Sequence, residues 1–281
     1  MHPIEQLRMV ARATGEDPAL VAQEAAAVLA ACAAEPAGLV TACRRLVDHQ
    51  PSSGPIWWLA ARVLAAADPA SEAWRAAEEL DDDQTPAALA THLPDDVTVT
   101  VLGWPDQAVQ ALRRRGDVTV LVVDTGGVGA GAASSLRRAG TDAYPVAESG
   151  LGPAAASSDL VLLEALALAP AGFVAVSGSR AGAAVAQQAG VPVWVVAGAG
   201  RTLPAPLWQA MAQRLSAGSE PWERAAEIVP LALADRIVGP DGLDTPEDAA
   251  GRAGCPPVPE LTRTWFTPGS RRTGGAGPHP G

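Results

Sequence analysis

Apolar positions recur at three- and four-residue steps through roughly the first ninety residues: Leu20-Val21, Val28-Leu29 and Cys32, then Leu39-Val40, Cys43 and Leu46-Val47. This spacing gathers them on one face of each of two helices, with Pro18 and Pro36 as punctuation. After the turn-like Gln50-Pro51-Ser52-Ser53-Gly54-Pro55, the run Ile56 to Leu64 predicts a helix with Pro55 in its first turn. A further helix is predicted around Ala70 to Leu80. It runs into Asp81-Asp82-Asp83, read as a solvated helix end or loop. From residue 97 the period shortens. Val97 to Leu102, Val118 to Val123, Ala143 to Val146, Leu160 to Leu163, Phe173 to Val176 and Val191 to Val196 read as strands. Helical stretches lie between several of them, at Asp106 to Arg115, Ala130 to Ala139 and Arg180 to Ala189. Strands that are apolar almost throughout and alternate with helices imply an α/β fold, its mostly parallel sheet covered by helices on both faces. The expected division is a small helical N-terminal domain over 1–92, the α/β domain over 93–245, and a Pro/Gly-rich tail over 246–281. The last ten or so residues of that tail are expected to be disordered.

Composition then narrows the chemistry. The 281 residues carry a net charge of −11, all 20 basic residues are Arg, and there is neither Lys nor Asn. A lysine Schiff base, a P-loop lysine and N-glycosylation are thereby excluded. The arginines are scattered, so the basic footprint of a nucleic-acid or anionic-membrane binder is missing, and neither partner is expected. Cys32, Cys43 and Cys255 form no C-x-x-C pair, which points to reduced thiols rather than a disulfide framework or a zinc site. No N-terminal stretch has signal-peptide form, and the Ala/Val/Leu runs are interrupted short of a membrane span. The expected location is therefore the cytoplasm, with no metal and no cofactor.

The most prominent local pattern runs from Val122 to Ala132, a strand entering glycines and then a helix. Gly127, Gly129 and Ala132 satisfy G-x-G-x-x-A, and Glu148 follows at the end of the next strand, where a dinucleotide fold places its ribose-binding acid. Against a dinucleotide site, the loop follows the second strand of the α/β region, and Asp124 sets a negative charge beside the phosphate position. A tight glycine turn is the competing reading. Ser177-Gly178-Ser179-Arg180 also ends a strand and opens a helix. It reads equally as a phosphate cradle assisted by Arg180 or as a plain cap. Trp57, Trp58, Trp104 and Trp194 read as core or interface aromatics, and Trp104, just past a strand end, reads alternatively as the floor of a pocket. His49 and His92 are isolated, and no nucleophile elbow, H-E-x-x-H or acid-base dyad is present.

Four segments in order resemble one family over residues 45–246: the alpha, beta and delta regulatory subunits of eukaryotic initiation factor 2B, with the methylthioribose-1-phosphate and ribose-1,5-bisphosphate isomerases. Gln50 to Leu59 is similar to its R-P-T-A-V-N-L-F-W-A motif, and Val99 to Gln107 with Val109 to its I-L-T-x-G-x-S-x-x-V turn. Asp159 to Arg180 followed by Val191 to Val195 resembles its core D-x-V-L-V-G-A-D-x-I-x-x-N-G-x-V-x-N-K-x-G-T and V-P-x-Y-V. Glu227 to Pro246 resembles its closing motif. The resemblance implies a Rossmann-like α/β domain behind a helical one, and a homo-oligomer, usually a dimer. It also implies a sugar-phosphate site, but the isomerases' functional residues are replaced. Gln50 stands for a phosphate-binding Arg, Gly103 or a neighbour for the catalytic Cys, Leu166 for the catalytic Asp, and Val176-Ser177 for the Asn-Lys pair. Proton transfer between adjacent carbons needs those groups. The expectation is a noncatalytic protein binding a small phosphorylated ligand or a protein partner. The candidate ligand residues are Gly103, Trp104, Thr125, Gly126, Gly127, Gly129, Ser177, Ser179 and Arg180, and Asp124 and Glu164 are the remaining candidate catalytic groups. The alternatives are a sugar-phosphate isomerase with a rebuilt site and a dinucleotide-binding oxidoreductase.

Overall fold

The computed structural model describes residues 18–217 and 220–263; the expected disorder at the extreme C-terminus lies outside them. Five helices come first: α1 Pro18–Cys32, α2 Pro36–His49, α3 Gly54–Ala65, α4 Pro69–Asp81 and α5 Thr85–His92. Helix α3 has one charged residue, Arg62, and buries nine of its twelve positions, because a helix apolar on all sides is stable only when surrounded. Helices α1, α2 and α4 supply the surroundings. Arg62 keeps its charge by stacking on Trp58 at 4.4 Å and pairing with Glu72 at 2.5 Å and with Glu79.

The α/β part follows as β1 Thr98–Leu102, α6 Asp106–Leu112, β2 Thr119–Val123, α7 Gly129–Arg138, β3 Asp142–Val146, α8 Leu151–Ser157, β4 Leu160–Glu164, β5 Ala167–Ala169, β6 Gly172–Val176, α9 Ser179–Ala189, β7 Val193–Val196, α10 Ala205–Ser216, β8 Ala226–Val229, β9 Arg236–Gly239 and β10 Gly242–Asp244. Two short helices, α11 Pro246–Gly251 and α12 Pro259–Thr262, complete the described chain. The main sheet has the order β10-β9-β7-β4-β1-β2-β3; every neighbouring pair is parallel except β10 with β9. Period-two alternation splits each strand between two cores. Leu160 and Leu162 join the cluster under α5, α6 and α7, and Val161 and Leu163 join the cluster under α8 and α9. The expected α/β fold with helices on both faces is what the chain adopts.

Two expectations need correction. Phe173 to Val176 is not a strand of the parallel sheet: β6 pairs antiparallel with β5 and β8 in a separate three-stranded sheet. An apolar run of four is compatible with either kind of pairing, and β5, only three residues long, carried no signal of its own. The second correction concerns Asp83, which is half-buried rather than solvated. Its Oδ1 accepts from the Thr85 backbone N–H at 2.9 Å and so caps α5, and its Oδ2 accepts from Gln107 Nε2 and from the Ala199 N–H at 2.9 Å. The carboxylate thus ties the end of the helical region to the loop after β7. Helix α5 itself packs on the sheet, against α6, β9 and β10.

Candidate functional site

Strand order reverses at β1 and β4, since the chain runs outward from β1 to β2 and β3 and then returns to the other side of β1. Ligands of open parallel sheets sit beyond the carboxyl ends of the strands at such a reversal. Most of the sequence-predicted residues converge there. Gly103 and Trp104 leave β1, Thr125 to Gly129 leave β2, Glu164 ends β4, and Ser179 opens α9. A Cβ on Gly178 would stand 3.6 Å from Leu102 and 4.0 Å from Thr125 Oγ1, so the turn into α9 lies against the ends of β1 and β2. The crevice is lined by Leu102, Trp104, Asp106, Glu164, Leu166 and Ser179, with a volume of about 40 Å³. That is room for a water molecule or two, against the several hundred Å³ of ordinary small-molecule sites.

A protein carboxylate fills the position an anionic ligand would take. Glu164 Oε2 accepts from the backbone N–H groups of Gln107 at 2.9 Å and Ala108 at 3.2 Å, in the first turn of α6. Its Oε1 accepts from Arg201 Nη1 at 3.0 Å, with side-chain exposures of 7% and 0% for the two residues. Arg201 Nη1 also donates to the carbonyl of Ala165, while its Nε and Nη2 are buried without a hydrogen-bond partner. The hydroxyls of Thr125 and Ser179 are buried and unpartnered as well.

The glycine loop repeats the arrangement. Asp124 Oδ1 accepts from the Gly129 N–H at 2.7 Å, placing its charge at the N-terminus of α7 where a pyrophosphate would dock. Gly126 and Gly127 have φ of 70° and 76°, a left-handed turn that favours glycine. Gly129 serves close packing: a Cβ there would stand 2.7 Å from the Cα of Asp124. Trp104 is partly exposed and lies across Gly131, leaving the G-x-G-x-x-A match explained by turn and packing geometry. At α9, the Arg180 N–H donates to Glu227 Oε1 at 3.0 Å, and Ser177 Oγ donates to the carbonyl of Arg224. Three helix N-termini that face the carboxyl ends of the strands or their neighbours are therefore each occupied by a carboxylate of this chain.

Arg201 was not among the residues singled out from sequence. Its signal was a lone charge after an apolar strand and the run Ala197-Gly198-Ala199-Gly200, which no motif marks. A second, larger cavity of about 210 Å³ lies off the ends of β7 and β9, lined by Trp58, Glu79, Gly198 to Gly200, Thr202, Asp241, Asp244, Arg252 and Gly254. None of its residues was predicted. Among the described residues, no cluster of three His, Cys, Asp or Glu is placed to hold a metal, and no helix is long and apolar enough to cross a membrane.

No protein-family model matches the chain, and no curated protein sequence matches it significantly. Solved structures do. The translation initiation factor eIF-2B of Pyrococcus horikoshii superposes with a TM-score of 0.75 over 88% of this chain and 98% of its own, at 14% identity. The tetrameric eIF2B-beta2-delta2 complex of Chaetomium thermophilum gives 0.70 over 89% and 92%, at 18% identity. Its eIF2B beta alone gives 0.66 over 89% and 88%, at 19% identity. At these identities the likeness is one of fold, and the chain is built on the architecture of these initiation factor 2B structures, helical region and α/β sheet together.

Proposed function

We propose that this chain is a noncatalytic protein of the initiation factor 2B regulatory-subunit type, acting through its protein surface. The observation that carries the reading is the self-filled switch point. Glu164 holds the α6 N-terminus and the buried Arg201 that an anionic substrate would need. The residues matching the isomerases' functional positions point the same way, since Gln50, Gly103, Leu166 and Ser177 supply neither thiol, carboxylate nor fixed positive charge. Aldose–ketose isomerisation requires a free proton-transfer group and an anchored phosphate, whereas the Glu164 carboxylate at this crevice is engaged by Arg201 and by the Gln107 and Ala108 N–H groups. The fold likeness to a tetrameric eIF2B-beta2-delta2 complex supports assembly with further subunits or copies as the mode of action.

A second reading keeps a small ligand at the same crevice, and the unpartnered hydroxyls of Thr125 and Ser179 favour it. Such a ligand must be compact and uncharged unless Glu164 moves. Both readings are tested by incubating pure protein with methylthioribose-1-phosphate and ribose-1,5-bisphosphate and following turnover and melting temperature together. No turnover and no shift with either compound is the expected result. A shift without turnover means that Glu164 moves to admit an anion, which refutes the first reading and keeps the second, and turnover at ordinary enzyme rates refutes both.

A further inference from the structure

Residues 252–263 cross the surface without belonging to either sheet, and their burial has a period of three. Cys255, Val258 and Leu261 are buried while Pro256, Pro257, Pro259 and Glu260 between them are exposed. Cys255 and Val258 lie three residues apart on the extended stretch before α12, and Leu261 is carried by the single turn of α12, so all three buried positions face one groove while the prolines point outward. The three anchors join the core of the helical region.

Side-chain donors from three different helices hold the backbone of this segment. Trp58 Nε1 donates to the Gly254 carbonyl at 2.9 Å, Arg44 Nε to the Glu260 carbonyl at 2.9 Å, and Arg214 Nη2 to the Leu261 carbonyl at 3.3 Å. Arg214 also pairs with Asp48 at 2.8 Å and stacks on Trp57 at 4.8 Å, which fixes the groove side of the contact independently of the strap. An indole N–H on a carbonyl of a proline-rich segment, over an apolar groove, is how such segments are recognised between proteins. Among the described residues, two backbone N–H groups of the strap donate outside it, both in long bonds: Arg252 to the Ala249 carbonyl at 3.3 Å, at the end of α11, and Gly254 to the Thr202 carbonyl at 3.4 Å. Gly254 has to be glycine because a Cβ would stand 2.9 Å from Trp58 Nε1. The same segment supplies Arg252 and Gly254 to the wall of the 210 Å³ cavity.

We propose that residues 252–263 form a latch: a proline-rich strap that seats in cis in the groove between α2, α3 and α10, closes one wall of the larger cavity, and opens as a unit while the helical core stays folded. Its attachment is by three apolar anchors, side-chain donors and the ion pair of Arg252 with Asp244 of β10, with no strand or long helix of its own to make its opening cooperative with the rest. Opening bares the Trp58 edge and the sockets of Val258 and Leu261, and uncovers the cavity.

Two cysteines in one core cluster provide the test. Cys255 belongs to the strap and Cys43 to α2, and both are buried. Burial pushes the Cys255 thiol up to about 12, and the Cys43 thiol is raised too, so each reacts only when its surroundings open. Full-length protein is alkylated with iodoacetamide over a range of low urea concentrations, and each cysteine is followed by peptide mass spectrometry. Cys255 is expected to react at least about tenfold faster than Cys43, with a shallower urea dependence, as sub-global opening requires. Leu261→Ala is expected to accelerate Cys255 further and leave Cys43 unchanged. Equal rates with equally steep urea dependence in the unsubstituted protein would overturn the proposal, and that measurement stands even if the variant fails to fold.

Discussion

Removing the Glu164 carboxylate is the sharpest perturbation of the switch point. In Glu164→Ala the guanidinium of Arg201, fully buried, loses the carboxylate it pairs with, and the first turn of α6 loses the acceptor for Gln107 and Ala108. Breaking a buried ion pair from one side costs about 3–5 kcal/mol, because the remaining charge stays desolvated and uncompensated. For a chain of this size each kcal/mol lowers the melting temperature by about 2–4 °C, so a fall on the order of 10 °C is expected in thermal denaturation, with a matching drop in the urea midpoint. The loss must be coupled to Arg201. In the double variant Glu164→Leu with Arg201→Met, replacing both charges by apolar groups of similar size should recover most of the loss, since such exchanges are often near neutral. The vacated carboxylate position should also accept a small carboxylate from solution. About 100 mM acetate should raise the melting temperature of Glu164→Ala by more than it raises that of the unsubstituted protein, through binding to the folded state. A cost below about 1 kcal/mol for Glu164→Ala, or strict additivity of the single variants Glu164→Leu and Arg201→Met in their double variant, would refute the picture of a charge held in place of a ligand.

Other substitutions separate packing from binding. Gly129→Ala drives a methyl group into the Asp124 backbone and should cost about 1–3 kcal/mol in chemical denaturation, whereas Gly127→Ala meets no atom and should cost only the ~1–2 kcal/mol of a left-handed residue. NAD and NADP should leave the melting temperature unchanged in a thermal-shift assay, and stabilisation by either that Gly129→Val abolishes would restore the dinucleotide reading. Asp83→Ala removes the α5 cap and the bonds from Gln107 and Ala199, and a loss of about 2–3 kcal/mol by urea denaturation is expected. Asp117 is held well below the usual carboxylate range chiefly by its hydrogen bond from Arg115. A depressed folded value means its contribution is present above the unfolded value near 4 and lost as pH falls below it. The stability difference between the unsubstituted protein and Asp117→Asn should therefore shrink between pH 5 and 2.5, and a constant difference would contradict this.

The layout of the sheet was legible because its strands are uniformly apolar and separated by helical periods, as in Val118 to Val123 and Leu160 to Leu163. Pairing direction was not. Phe173 to Val176 has the same composition as the parallel strands, and what turns it into an antiparallel neighbour of β5 and β8 is the tight connection through Gly172, whose φ of 147° sets it beside the Val229 carbonyl. At the site, Glu164 and Asp124 were visible as charges at strand ends, but a sequence does not say whether a carboxylate faces a ligand or a helix N-terminus of its own chain. Arg201 and Asp83 were illegible for the converse reason. Their partners, Glu164 at one end and Gln107 and Ala199 at the other, are far away in sequence, so the ion pair and the tie exist only once the fold brings them together.

The claim that the switch point is closed to anions by the chain's own carboxylates is tested most directly by calorimetric titration of the unsubstituted protein with methylthioribose-1-phosphate and ribose-1,5-bisphosphate, in parallel with Glu164→Ala. The expected result is no heat of binding for the unsubstituted protein and no product with either form. Saturable binding to the unsubstituted protein, or conversion of either compound at about 1 per second or faster, would contradict it.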